Sequence, residues 1–108
     1  MKDAMNTLFE TIARDFAESR ARGEYGSPSD YDEFFNNLGI DEGRKYLKVT
    51  KKLGSQTMVW GFIMKEDDGK FRKGDILKAA SWSAPARNKA RGNIFEQYDV
   101  RWTGPNYL

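Results

Sequence analysis

The apolar residues of this chain change period partway along it. Met5, Leu8, Ile12 and Phe16 recur at steps of three and four, with Phe9 and Ala13 widening the stripe. That is the spacing of one helix face. From Lys45 onward, Leu47 and Val49 alternate with Tyr46, Lys48 and Thr50, the spacing of a strand with one apolar side. A chain that reads as helix first and as strand afterwards is expected to be α+β, its helices laid on one face of an antiparallel sheet. At 108 residues it is expected to form a single domain, 1–108.

The first helix is predicted over Asp3 to Arg22, with Gly23 closing it. A second helix is predicted from Ser27 as N-cap and Pro28 at the first helical position, with Asp30 and Asp32 in the turn where the helix dipole favours negative charge. Tyr31, Phe34, Phe35 and Leu38 share one of its faces, and Gly39 and Ile40 form its end. Helices this short need a surface to pack on, so Phe34, Phe35 and Leu38 are expected against Trp60 or Phe62.

The β part starts with the strand around Leu47 and turns at Gly54-Ser55. Gln56 to Lys65 is apolar on both sides, with Met58, Trp60, Phe62 and Met64 on one and Val59 and Ile63 on the other. That pattern predicts a central strand covered on both faces. Residues 66–69 have hairpin-turn composition. Lys70 to Ala80 returns as a strand broken at Lys73-Gly74, and short strands are predicted at 93–96 and 98–102. Between them, Ser83, Pro85 and Gly92 predict a helical turn. The expected architecture is two N-terminal helices packed on a bent four- to five-stranded antiparallel sheet, with an order of elements that resembles small SH3-like barrels.

Charge follows the same division. Residues 1–43 carry four Lys/Arg against ten Asp/Glu, a net of −6; residues 44–108 carry fourteen against six, a net of +8. The acidic helical part and the basic β part therefore differ far more than the overall +2 implies. All three Trp lie in the basic part. Cations interleaved with large aromatics point to an anionic partner, nucleic acid foremost.

Two constellations carry that expectation. Arg87, Lys89 and Arg91 fall within five residues, just after Trp82, and guanidinium forks at that spacing match phosphate oxygens. Arg44, Lys48 and Lys52 project from one side of the first strand, with Tyr46 among them. The competing explanations are a solvated loop for the first set and a Lys-protected edge strand for the second. Trp82 and Trp102 flank the basic turn as candidate stacking platforms, whereas Trp60 reads as core. The acidic helices offer a different surface, suited to a basic protein partner.

Enzymatic readings fare poorly. The chain has no Cys and no His, which removes thiolate and imidazole nucleophiles, bases and metal ligands. Asp67 and Asp68 beside Lys70 lie in a predicted turn, without a second carboxylate placed to share a metal. No Gly-rich phosphate-binding loop follows a strand. A non-enzyme is expected, with no cofactor and no metal. No apolar run approaches membrane-spanning length, and the acidic, amphipathic start lacks the features of a signal peptide. The expectation is a cytoplasmic protein without a membrane partner.

The stretch from Phe71 to Asn93, with its Arg72-Lys73-Gly74-Asp75 and Trp82-Ser83-Ala84-Pro85-Ala86-Arg87 runs, resembles segments of small uncharacterised tailed-phage accessory proteins. Ala17 to Ser27 is similar to them in style. The two stretches cover about a third of the chain. The resemblance implies a phage-type origin, action on a macromolecule of the host and a site in the host cytoplasm; it implies no particular site residue. The expected function is thus a small binding protein that takes nucleic acid on its basic, aromatic-flanked surface. The alternatives are a phage-encoded inhibitor of a host protein and a structural or assembly protein acting by self-association.

Overall fold

A computed structural model describes residues 2–22, 30–87, 89–96 and 98–105. The elements run α1 (Lys2–Arg22), α2 (Asp30–Asn36), β1 (Leu38–Glu42), β2 (Tyr46–Leu53), β3 (Gln56–Met64), β4 (Ile76–Leu77), β5 (Val100–Arg101) and β6 (Gly104–Pro105). The first four strands form one antiparallel sheet in the order β1-β2-β3-β4, and β5 and β6 form a separate hairpin. The fold is α+β, and the strands of the described residues do not close into a barrel.

The helical stripe does what its period requires. Met5, Leu8, Ile12 and Ala13 are buried, and with Phe34 they cover Leu47, Val49, Trp60, Ile63 and Ile76 on one side of the sheet. The opposite side holds a second cluster of Phe62, Met64, Phe71 and Leu77, flanked by Ala79 and Ala90. β3 is therefore covered on both faces, as its composition predicts.

Which residues face which way differs from simple alternation. Val49 pairs with Gly61 and Thr50 with Val59, so Trp60 is an extra residue, a β-bulge. The bulge turns Trp60 to the helical side with Ile63, while Val59 joins Phe62 and Met64 on the other. Trp60 is 1% exposed and donates its indole N–H to the Arg101 carbonyl at 2.8 Å. That bond helps seat the β5–β6 hairpin on the sheet. Lys51, a strand cation drawn inward, donates to the Trp102 and Thr103 carbonyls at 3.0 and 3.2 Å, and burial pushes its pKa down. Asp15 of α1 accepts the Trp102 backbone N–H at 2.9 Å. Phe16 stacks on Phe34 at 4.2 Å and meets Trp102 edge-on at 5.2 Å.

Four local expectations are corrected. α2 ends at Asn36, and Leu38 to Glu42 form a strand rather than a helix end. A Cβ at Gly39 would lie 2.9 Å from the Thr50 hydroxyl, so a larger residue there would have to turn that side chain aside. Lys70 to Ala80 contains only the two-residue β4, because Gly74, at φ 88°, turns the chain. Asn93 joins a single bridge to Asp75 and Ile94-Phe95 is a turn, so 93–96 is no strand. The described part of 83–92 holds no helix: Pro85 bridges to Ala79 and Ala86 N–H bonds the Lys78 carbonyl, which draws the segment out along the sheet. The expected start of α2 at Ser27 and Pro28, and the Gly23 end of α1, lie outside the described residues.

Candidate nucleic-acid interface

Leu47 and Val49 of β2 face the helices, which puts Tyr46 and Lys48 between them on the outer face of the sheet. Lys48 lies opposite Phe62 of β3, and the Tyr46 ring meets Phe62 edge-on at 5.8 Å. The 79–86 segment returns over this face and presents Trp82, whose side chain is 52% exposed. The Lys48 ammonium sits 4.3 Å from the Trp82 ring centroid, within cation–π range. Arg44 and Lys45, both exposed, occupy the β1–β2 loop at the rim. Together with Tyr46, Lys48, Phe62 and Ser83 they line an open cavity of about 480 Å³, which Asp41 and Glu42 border on the acidic side. The floor is aromatic and one wall cationic.

The remaining predicted residues divide. Arg87 is committed to the body of the protein. Its guanidinium donates to the Tyr46 hydroxyl and to Asp68 Oδ2, the latter at 2.9 Å, and lies 4.9 Å from the Phe71 ring centroid. Lys70 in turn donates to the Arg87 carbonyl. Arg87 therefore braces Tyr46 from behind. Arg91 is buried at 4% exposure, its backbone N–H bonded to the Ile76 carbonyl at 2.7 Å. With no helix in the described part of 83–92, Arg87 and Arg91 do not form one cationic cluster. Lys89 is exposed. Lys52 lies at the far end of β2, bonded through its N–H to Asn37 and beside the acidic α2 residues Asp30 and Glu33. Trp102 is half-buried against Phe16 and Phe34. The structure thus gathers Arg44, Lys48 and Trp82, and adds Lys45 and Ser83, which sequence reasoning passed over. Lys45 was legible as the neighbour of Arg44 in a turn between strands; Ser83 had no signal.

Three carboxyls are held below the usual range by a cation hydrogen-bonded to each: Asp68 by Arg87, Glu42 by Lys65 at 2.6 Å, and Glu96 by Arg72 at 2.5 Å. A carboxyl whose folded pKa is depressed adds stability above its unfolded pKa, about 3.9 for Asp and 4.3 for Glu. That stability is lost as pH falls through the folded value. Thermal unfolding is therefore expected to hold steady above about pH 5 and to decline below about pH 4. Asp68→Asn is expected to flatten part of the decline, and an unchanged pH profile would show that Arg87 and Asp68 are not coupled in solution.

The fold and this surface define a small α+β protein with an aromatic, cationic cavity on its sheet. Residues 1–106 match the model of DUF7717, a family of unknown function, and the chain belongs to that family. No curated protein and no solved structure matches it. No helix of the described residues is long and apolar enough to cross a membrane.

Proposed function

We propose that this is a small non-enzymatic protein that binds single-stranded nucleic acid across the outer face of β2. The observation that supports this most is the half-exposed Trp82 stacked on Lys48, beside a cavity rimmed by Arg44 and Lys45. A base stacks on the indole or over Tyr46, and the three cations take the flanking phosphates. Lys89 extends the track beyond the cavity. Arg87 acts by holding Tyr46, and Arg91 by packing, so neither meets phosphate directly. In the same reading, the bent sheet with Pro105 of β6 beside Gly61 of β3 is an opened variant of the small SH3-like barrel. The resemblance of Phe71 to Asn93 adds a phage-type origin and a host cytoplasmic setting.

Titration of a fluorescent oligonucleotide at several salt concentrations tests the proposal. Each phosphate neutralised adds about −0.7 to the slope of log affinity against log salt. Lys48→Ala is expected to reduce the slope by roughly one phosphate's share and to weaken binding. Trp82→Ala is expected to cost about 1–3 kcal/mol with little change in slope, since stacking is not ionic. Absence of saturable binding at low salt would overturn the reading.

A further inference from the structure

The open edge of the sheet, β1, borders the cavity already described at Asp41 and Glu42 and faces away from it along Leu38 to Ile40. In the β1–β2 ladder, Gly43 N–H bonds the Tyr46 carbonyl and Lys52 N–H the Asn37 carbonyl. Hydrogen-bonded pairs alternate along an antiparallel ladder, so Gly39 and Asp41 bond inward to Thr50 and Lys48. Leu38, Ile40 and Glu42 then aim their N–H and C=O groups outward, and no hydrogen bond among the described residues reaches those of Ile40 or Glu42. β1 ends the sheet. An unpaired edge is a template for another strand.

The side chains at this edge fit the same use. Ile40 points to the helical side and is 44% exposed. It lines a groove of about 440 Å³ with Met5 and Phe9 of α1 and Leu47 of β2, and Lys2, Asp3 and Glu42 stand at its margin. On the outer side, Asp41 makes no ion pair among the described residues, whereas Glu42 is already held by Lys65. Residues 1–43, which supply the edge and most of the groove, carry a net −6. A second copy brings the same charge to the same edge and is repelled; a basic partner is attracted.

We infer that β1 receives an extended segment of a partner protein as an added strand, apolar at the alternate positions that face Ile40 and the α1 groove and basic at those that lie beside Asp41. Main-chain bonds to Ile40 and Glu42 supply register, and the groove selects the apolar side chains. The inference does not rest on the nucleic-acid reading, although Asp41 and Glu42 border both surfaces.

The test uses the full chain and a synthetic seven-residue peptide alternating Lys with Val or Ile. Saturable binding is expected, with hydrogen-exchange protection at the Ile40 and Glu42 amides. N-methylation of the peptide at positions bonding to β1 is expected to weaken binding at least tenfold, and N-methylation at the intervening positions to leave it unchanged. Ile40→Asp, at an exposed site, is expected to weaken binding similarly while leaving circular dichroism unaltered. Equal binding of the Glu-for-Lys peptide, equal effects of the two N-methylation patterns, or no binding at millimolar peptide would overturn the inference. So would a concentration-dependent dimer, seen by sedimentation, that protects the same two amides.

Discussion

Phe34→Ala is expected to cost about 3–5 kcal/mol of stability, and Phe35→Ala roughly half as much. Both rings belong to one seven-residue helix, but they have different surroundings. Phe34 is 2% exposed, stacks on Phe16 at 4.2 Å and meets Trp102 edge-on at 6.1 Å. Its removal opens a hole where α1, α2 and the C-terminal hairpin meet, and backbone on three sides limits collapse into that hole. Phe35 is half-buried and touches Phe9 at 6.3 Å and Tyr31 at 6.0 Å, near the surface. Denaturant midpoints of the two variants decide the matter. Equal losses would mean that α2 presents a different face to the sheet.

That contrast marks where the sequence was legible. Periodicity located the apolar side of α2, and Phe34, Phe35, Leu38 and Trp60 fall in one core cluster. Phe62 lies in the opposite cluster, because the bulge at Trp60 breaks the two-residue alternation, and a bulge leaves no mark in a run of apolar residues. Helix α1 was readable because its stripe is long and its burial one-sided. β1 was not: Leu38-Gly39-Ile40 has the composition of a helix end, and only pairing with Thr50 and Val49 makes it a strand.

At the candidate site, alternation placed Lys48 on the outer face and composition singled out Trp82, and the fold brings them within 4.3 Å. Arg91 read as one of three cations of a basic turn, yet it is buried, as is Lys51 of β2. The burial of Lys51 depends on carbonyls and a ring face supplied by Trp102 and Thr103, far away in the chain. Charge counted along a sequence gives the sign of a surface but does not say which cations remain on it.

Asn93→Ala is expected to destabilise by on the order of 2–4 kcal/mol, since it orphans several buried polar groups at once. In the sequence Asn93 reads as the first residue of a short strand that follows the basic turn. In the fold it is 4% exposed and faces Asp75, itself 6% exposed. Its amide donates to the Lys73 carbonyl and to Asp75 Oδ1, and its oxygen accepts the Phe95 N–H, all at 2.9 Å. Asp75 Oδ2 accepts the Arg72 N–H at 2.9 Å. This network fixes the turn at Gly74, where a Cβ would lie 2.7 Å from the Phe95 ring, and it anchors the far end of the segment that carries Trp82. Asn93→Asp separates hydrogen bonding from shape. It keeps the outline but sets a second carboxylate against Asp75, so one of the pair titrates above the usual range. A raised folded pKa gives stability that is present at low pH and lost as pH rises through it. Asn93→Asp is therefore expected to be weaker than wild type at pH 7 and to recover part of the loss near pH 5, where a protonated carboxyl donates in place of the amide; Asn93→Ala has no such recovery. Denaturant midpoints at the two pH values measure this, and parallel behaviour of the two variants would show that the amide's hydrogen bonds do not hold this turn.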